Sequence, residues 1–243
     1  MVTELQNTHG ERVDFTHHHG RQGAQEIVVI GHGVTGNKDR PFVVALAEGL
    51  AKAGIPAIRI SFSGNGGSGG KFTESTISKE VEDLGPVFDA LKGRTICYIG
   101  HSMGGAVGVL RAARDPRIKA LISLAGMVHT KAFAEREFGM VKPGEGFMWD
   151  DTNCPLSQKY MDDMASIGSV IANAPKIRVP WLLIHGTEDD VVPIQESREI
   201  FAKANEPKEL IELKGANHVF AGEHTAPMVS QVVAWLKRTL HIS

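Results

Sequence analysis

The stretch TICYIGHSMGGAVGVLRAA, residues 95–113, joins a run of apolar residues to a helical pattern through Gly100-His101-Ser102-Met103-Gly104. A G-x-S-x-G pentapeptide placed directly between a strand and a helix is typical of a nucleophile elbow, a sharp turn that projects its serine beyond the sheet. The serine backbone is strained in such a turn, and glycines at the flanking positions avoid collisions that side chains would cause. The context therefore predicts Ser102 as a nucleophile rather than an incidental serine in a glycine-rich turn.

Outward from this stretch, short apolar runs alternate with helical patterns. The apolar runs are continuous, as expected of parallel strands covered on both faces, and lie at Ile27–Ile30, Ala57–Phe62, Thr95–Ile99, Ala120–Leu124, Trp181–Ile184 and Glu209–Leu213. Helical spacing predicts helices at Pro41–Ala53, Ile77–Leu91, Ala106–Ala113, Gln195–Ala204 and Pro227–Leu240. Pro86 should kink or break the second of these helices. The alternation predicts an α/β protein with a doubly wound, mostly parallel sheet and right-handed crossovers.

Two segments depart from this alternation. Near the amino terminus, the spacing of Val13 and Phe15 predicts an antiparallel edge hairpin. Residues 127–176 are too long for a plain connection, so we expect a cap or lid inserted into a single domain that spans residues 1–243. A helical stretch is expected around 160–171. The large apolar side chains of the cap would either line a pocket or form the cap's own core: Phe133, Phe138, Phe147, Met148 and Trp149.

The composition argues against several classes of protein. The 243 residues include 26 Lys and Arg against 28 Asp and Glu, a net charge of −2, and 42% are hydrophobic. This near-neutral balance argues against nucleic acid as the main partner, and no apolar run approaches the length of a membrane span. Two cysteines cannot form a disulfide framework, and the polar amino-terminal residues show no secretory signal. We therefore expect a cytoplasmic protein, with a homodimer left open.

A nucleophilic serine needs a base and an orienting acid. Among eleven histidines, His218 stands apart because it follows the last predicted strand and precedes the final helix, at the sheet edge expected for Ser102. The stretch HGTEDDVVP, residues 185–193, offers three candidate acids, and spacing alone does not choose among them: Glu188, Asp189 and Asp190. The chain order serine, acid, histidine is one of the known orders of a catalytic triad.

An oxyanion hole completes such a site, because the tetrahedral intermediate carries a negatively charged oxygen. The backbone N–H of Met103, directly after the nucleophile, is one expected donor. The second should come from the glycine-rich loop after the first parallel strand, GHGVTG at residues 31–36, and the N–H of Val34 is the candidate.

Other patterns suggest rival functions. The dinucleotide fingerprint G-x-G-x-x-G occurs at residues 31–36 and 64–69. That fingerprint also needs an acidic residue at the end of the next strand, and Arg59–Ser63 contains none, so we expect no nucleotide cofactor. His17–His19 invite a metal interpretation, but adjacent residues of an extended strand point to opposite faces, so we expect no metal site.

The motifs together resemble those of the α/β-hydrolase superfamily of serine esterases and lipases. HGVTGNK, RISFSGNGGSGGKF, GHSMGG, HGTEDDVVP and GANHVF are similar to the short-chain carboxylesterase and cinnamoyl (feruloyl) esterase-like branch, from Ile27 to the carboxyl terminus. The family pattern HGxxDxxVP implies that Asp189 is the catalytic acid. It likewise implies His218 as the base and Val34 and Met103 as oxyanion donors. Relatives commonly have Asp where this chain has Ser61, which leaves substrate preference within the branch open.

The resemblance implies a serine hydrolase that cleaves small carboxylic esters, with short acyl or cinnamoyl groups, through an acyl-enzyme and without cofactor or metal. The substrate would be a small molecule. The same groups could serve a thioesterase, a peptidase or an amidase. A non-catalytic binding module on the hydrolase fold is the rival of a different class, and its usual mark, loss of a triad residue, is not seen here.

Overall fold

A computed structural model describes residues 4–242 of the chain. Its sheet contains the strands β1 Phe15–His18, β2 Glu26–Gly31, β3 Ala57–Ile60, β4 Thr95–His101, β5 Ile118–Leu124, β6 Trp181–Gly186 and β7 Lys208–Leu213. The strand order is β1-β3-β2-β4-β5-β6-β7. Strands β2 to β7 pair in parallel, and β1 runs antiparallel to β3. The predicted mostly parallel sheet is therefore confirmed.

Seven helices accompany this sheet in the described residues: α1 Pro41–Lys52, α2 Ile77–Ala90, α3 Met103–Ala112, α4 Thr130–Phe138, α5 Gln158–Ile167, α6 Ile194–Lys203 and α7 Thr225–Thr239. Helices α1 and α7 pack against one face, while α2, α3 and α6 contribute to the apolar core on the other face. Burial on both faces explains why the strands are continuous apolar runs. The doubly wound α/β architecture is confirmed. None of the helices within residues 4–242 has the length and apolar composition needed to cross a bilayer.

Of the two effects expected of Pro86, a kink or a break in the helix, the break does not occur. Helix α2 continues through Pro86 from Ile77 to Ala90. Proline removes one backbone donor from a helix, but burial of the apolar face compensates for that loss. This face points into the core through Val81, Leu84, Val87 and Phe88, each at most 1% exposed.

The amino-terminal segment differs in part from the predicted hairpin. The edge strand β1 is antiparallel as expected, but its partner is β3 rather than a neighbouring hairpin arm. The preceding residues form a short hairpin-like turn, with an antiparallel bridge between Gln6 and Arg12 and backbone hydrogen bonds from residues 7 and 13 to residues 11 and 5. Pairing with β3 satisfies the backbone groups on an otherwise open sheet edge, which favours this arrangement. The rings of His17 in β1 and His19 just after it lie with centroids 4.4 Å apart, and the His18 ring accepts a hydrogen bond from Arg59.

The segment between β5 and β6 contains α4, α5 and short 3₁₀ turns at Met148–Asp150 and Ile171–Lys176. Helix α5 packs against α4 and α2. The helical stretch expected around 160–171 is interrupted because Gly168, with φ of 64°, takes a left-handed conformation that ends α5.

The large apolar side chains of this segment divide between the two expected roles. Phe133 and Phe138 are fully buried and Met148 is nearly so, which makes them part of the core. Trp149 packs edge-on against Phe138 with centroids 5.0 Å apart, yet its side chain also lines the cavity described below. Phe147 is exposed. Only Trp149 of the five therefore contacts the cavity.

Candidate active site

Ser102 lies in the sharp turn between β4 and α3, with φ of 52° and ψ of −119°. A side chain rarely adopts this conformation, so the surrounding structure must hold it. The end of β5 does so: the N–H of Ser102 donates to the Leu124 carbonyl at 3.0 Å, and the N–H of Met127 donates to the Ser102 carbonyl at 3.0 Å. A Cβ at Gly100 would collide with the Gly104 carbonyl, which explains the glycine before the turn.

His218 and Asp189 are in direct contact. His218 Nδ1 lies 2.8 Å from Asp189 Oδ2, and the Asp189 side chain is completely buried. The other carboxylate oxygen, Oδ1, accepts the N–H groups of Val191 and Val192 at 2.9 Å each. Because both ends of the carboxylate are held, its orientation toward the imidazole is fixed.

The neighbouring acids do not share this position. Glu188 and Asp190 are exposed to solvent, and neither hydrogen-bonds to His218. The acid loop is tied to the histidine loop by the N–H of Glu188, which donates to the Ala216 carbonyl at 3.0 Å. Of the three candidates in HGTEDDVVP, the geometry brings Asp189 alone to the histidine.

Two opposing effects act on the pKa of Asp189. Burial by itself would raise this pKa, since a buried carboxylate loses its hydration. Hydrogen bonds from His185, from His218 and from the backbone outweigh burial, and they hold the pKa well below its usual range. Asp189 is therefore a carboxylate at neutral pH, as an acid that orients an imidazole and stabilises its charged form must be.

Ser102 and His218 line the same cavity, of about 370 Å³. Within the part of the chain that the structure describes, no hydrogen bond joins the Ser102 hydroxyl to the His218 ring. Nucleophile and base contacts are often loose without substrate and tighten when substrate binds. The arrangement thus brings the serine and the histidine to one cavity without a hydrogen bond between their side chains.

Two backbone N–H groups beside Ser102 have no protein acceptor in the described residues, those of Val34 and Met103. The peptide plane before Val34 is fixed, because the Gly33 carbonyl accepts from His32 Nδ1 at 2.9 Å and from the Gly36 N–H at 3.0 Å. In a trans peptide the N–H points away from the carbonyl, so the N–H of Val34 points away from His32. Both predicted oxyanion donors are therefore free to bind an anion.

His32 can hold this loop because its own protonation is fixed. Its Nε2 accepts the N–H of Phe62 at 3.0 Å, so the proton lies on Nδ1, which donates to Gly33. Burial lowers the pKa of His32 to about 4, which keeps the ring neutral at physiological pH. A Cβ on Gly33 would lie 2.7 Å from Ser102 Cβ, so the loop approaches the serine closely only because this residue is glycine.

His101, beside the serine, supports the histidine loop. Its Nε2 lies 2.9 Å from the His218 carbonyl, and its ring packs against those of Phe42 and His218 with centroids 4.6 Å away. Burial and the neighbouring His218 lower the pKa of His101 to about 3, so the ring is neutral and donates this hydrogen bond.

The remaining cavity wall is mostly apolar. Phe42, Val191, Val219 and Trp149 contribute its apolar surface, and Arg40 is the one Lys or Arg among the residues that line it. Its guanidinium donates to the Thr35 carbonyl at 3.0 Å. Such a cavity suits a small, largely apolar molecule with a polar reacting centre.

Ser61, where relatives of the esterase branch commonly have Asp, does not line the cavity. It is fully buried, and its hydroxyl accepts the N–H of Lys38 at 3.1 Å. The side chain therefore supports the loop that leads into α1 and does not contact a molecule in the cavity.

The sequence motifs contained His32, His101 and His185 but gave them no role. The spacing of four residues between His185 and Asp189 is the one sequence feature that could have indicated a contact between them. In the structure, His185 Nε2 lies 3.1 Å from Asp189 Oδ2. Which ring nitrogen faces which partner depends on how the strand ends and loops pack together, and sequence spacing does not specify that.

Comparisons with known proteins agree with this architecture. Residues 45–243 match the prolyl oligopeptidase family. An uncharacterized protein of Mycobacterium tuberculosis is 29% identical over 205 residues, which cover 82% of this chain and 65% of that protein. The chain thus spans slightly less than two thirds of the length of this relative. The human mitochondrial palmitoyl-protein thioesterase ABHD10 is 26% identical over 169 residues, covering 65% of this chain and 55% of that protein.

Among solved structures, Est1E from Butyrivibrio proteoclasticus with bound ferulic acid superposes with a TM-score of 0.85. The superposition covers 99% of this chain and 100% of Est1E, at 23% identity. This likeness establishes the fold over the described chain, and the family match covers the serine, the acid and the histidine described above. The chain therefore belongs to the prolyl oligopeptidase family and has the α/β-hydrolase fold.

Proposed function

We propose that this protein is a serine hydrolase that cleaves small carboxylic esters, with Ser102 as nucleophile, His218 as base and Asp189 as orienting acid. The observation that carries the proposal is the buried His218–Asp189 hydrogen bond of 2.8 Å beside a cavity that Ser102 also lines. A carboxylate without a donor, or a histidine outside the cavity, would not support this chemistry.

The first half of the reaction forms an acyl-enzyme. His218 Nε2 takes the hydroxyl proton of Ser102 as the oxygen attacks the ester carbonyl. Asp189 holds the other ring nitrogen and stabilises the imidazolium. The N–H groups of Val34 and Met103 stabilise the negative oxygen of the tetrahedral intermediate. His218 then returns the proton to the departing alcohol, which leaves the acyl group on Ser102.

Water repeats these steps in the second half. His218 accepts a proton from the water that attacks the acyl-enzyme, and the same two N–H groups stabilise the second tetrahedral intermediate. Collapse of that intermediate returns the proton to Ser102 and releases the carboxylic acid. Apart from the ester and water, every group that takes part in the two halves belongs to the chain.

We further propose that residues 127–176 act as a cap over this site, within one domain. Trp149 supports this role, because it connects the aromatic core of the segment to the cavity. The ferulic acid bound to Est1E makes cinnamoyl esters reasonable probes, and the name of human ABHD10 makes thioesters a second class. The family name adds peptide bonds as a third.

Steady-state kinetics on matched butyryl esters, a methyl cinnamate ester, a thioester and a peptide anilide test the proposal. We expect ester hydrolysis, with kcat lowered about 10³-fold or more in Ser102→Ala. Ser78→Ala, an exposed serine on α2, is the matched control and should retain wild-type rates. Turnover of Ser102→Ala at the wild-type rate would rule out this nucleophile. Folded wild-type protein without turnover of any substrate would favour a binding module.

A further inference from the structure

His185, at the end of β6, is completely buried and has no part in the proposed proton transfer. Its Nε2 lies 2.8 Å from the Val192 carbonyl and 3.1 Å from Asp189 Oδ2. Its Nδ1 lies 2.7 Å from the hydroxyl of Ser197 on α6, which is also buried. A histidine with no exposed atom therefore contacts the carboxylate on the side away from solvent.

These partners determine which nitrogen carries the proton. The Val192 carbonyl and the Asp189 carboxylate can only accept, so Nε2 must be a donor. In the neutral ring Nδ1 is then an acceptor, and the Ser197 hydroxyl is the group that donates to it. The Nε2–H group therefore donates to the Val192 carbonyl, and it also lies within 3.1 Å of Asp189 Oδ2, to which His218 donates from the other side.

We propose that His185, whose ring is held by the Val192 carbonyl and the Ser197 hydroxyl, is a positioning residue that fixes the Asp189 carboxylate toward His218. The inference rests on the proposed function, since it assigns His185 to the support of that triad. His185 touches neither Ser102 nor the cavity, and it acts only through Asp189.

Two contacts explain how His185 acts on the carboxylate. Its Nε2–H holds the carbonyl of Val192, whose own N–H binds Asp189 Oδ1, and it lies beside Oδ2, which His218 binds. Without His185, the turn at Val192 would lose this support and Oδ2 would lose a neighbouring N–H, so the carboxylate could move. It would also hold more negative charge at Oδ2 and would bind the His218 imidazolium more strongly. His185 thus limits both the movement and the basicity of the acid.

The charged groups on the surrounding elements have other partners. Glu212 on β7, opposite His185, is paired with Arg198. Glu196 on α6 accepts backbone N–H groups from residues 128 and 129. His101, near His218, is neutral for the reasons given above. Among the described residues, none of these groups donates to Asp189 in place of His185.

Two substitutions at the same position separate positioning from packing. His185→Leu removes the donor, while His185→Gln can place an amide N–H close to the position of Nε2. Each is measured by kcat and KM on a neutral ester and by the rate at which a fluorophosphonate labels Ser102, both across pH. The labelling rate reports activation of the serine without depending on the choice of ester.

We expect His185→Leu to lower kcat and the labelling rate about tenfold or more, with little change in KM, because the hydrogen bond to the Val192 carbonyl and the N–H contact with the carboxylate are both lost. The acid limb of kcat/KM should move to higher pH, since a carboxylate with fewer donors stabilises the imidazolium more. His185→Gln should restore most of the rate and the wild-type limb. His9→Leu, at an exposed histidine far from the site, is the matched control.

Equal losses in both variants with an unmoved acid limb would overturn the inference, because they would indicate packing alone. Unchanged rates in a folded His185→Leu would overturn it as well. If both variants fail to fold, the pH profile of kcat/KM is measured on Ser197→Ala instead. An acid limb at the wild-type pH would contradict the inference, and an acid limb at higher pH would support it. Failure of the wild type to be labelled would instead overturn the proposed function, and with it this inference.

Discussion

Asp189 and Glu80 both have fully buried side chains, yet their surroundings drive their pKa values in opposite directions. Asp189 accepts hydrogen bonds on both oxygens, and its pKa lies well below its usual range. Glu80, on α2, has one contact at 3.4 Å from the Ser75 hydroxyl, and its Oε2 has no partner. Burial, together with the nearby Asp83, raises the pKa of Glu80 well above its usual range.

The comparison shows that donors decide the charge of a buried acid, and burial alone does not. Asp83 illustrates an intermediate case, because it accepts bonds from the Asn7 side chain and the Ser63 N–H and yet keeps a raised pKa through burial. Near Glu80, where α5 packs on α2, the hydroxyl of Tyr160 is also buried without a partner among the described residues. The loops of the site thus supply donors that the contact between α2 and α5 lacks.

The largest expected effect follows from removing the charge of Asp189. Asp189→Asn should lower kcat about 10⁴-fold, because an amide neither stabilises the imidazolium nor selects the correct tautomer of His218. Steady-state kinetics on a butyryl ester measure this loss. Asp190→Asn, one position away and exposed, is the matched control and should stay near the wild-type rate. Equal losses in the two variants would refute Asp189 as the acid.

At Glu80, by contrast, removal of the carboxyl group should be favourable, and its effect should appear in the stability of the protein. Glu80→Gln should stabilise the protein at neutral pH, by about 1 kcal/mol or a Tm shift of about 2–4 °C, because a neutral amide does not have to take up a proton when the chain folds. An unfolded glutamate titrates near pH 4.3, so above that pH the unfolded chain releases a proton that folded Glu80 retains. The wild type therefore loses stability as pH rises toward the folded pKa of Glu80.

Thermal unfolding at about pH 5 and about pH 8 tests whether the stability of the wild type falls as pH rises. The advantage of Glu80→Gln should be greater at the higher pH, since the amide does not titrate. Glu82→Gln, an exposed glutamate two residues along α2, is the control. An advantage that is the same at both pH values would show that Glu80 does not titrate differently in the folded and unfolded states.

The smallest effect is expected at Tyr160. Tyr160→Phe removes a hydroxyl that has no partner, so the free energy of unfolding should change by less than about 0.5 kcal/mol or rise slightly. Chemical denaturation measures the change. A loss of about 1 kcal/mol or more would mean that the hydroxyl makes a hydrogen bond when the protein is in solution.

The sequence predicted the sheet and the serine turn well, because both depend on local patterns. A continuous apolar run followed by Gly-x-Ser-x-Gly and a helical pattern leaves little freedom in where Ser102 lies. The acid that contacts His218 could not be predicted from local pattern. Three acidic residues are adjacent, and residue type alone did not separate Glu188, Asp189 and Asp190. Resemblance to a family pattern indicated Asp189, and the structure then showed its contact with His218.

The parts that sequence did not predict depend on distant packing. Helix α2 continues through Pro86 because its apolar face is buried in the core, and local propensity contains no such information. The aromatic residues of 127–176 could have lined a pocket or formed a core, and they do both. The orientation of the His185 ring depends on the Val192 carbonyl and on Ser197, which is twelve residues away on α6.

Intact-mass analysis after reaction with a fluorophosphonate tests the central claim most directly, that Ser102 is activated by His218 and Asp189. The account predicts a single adduct on the wild type, no adduct on Ser102→Ala, and strongly slowed labelling of Asp189→Asn at the same pH. An adduct of equal yield on Ser102→Ala, or wild-type labelling of Asp189→Asn, would contradict it.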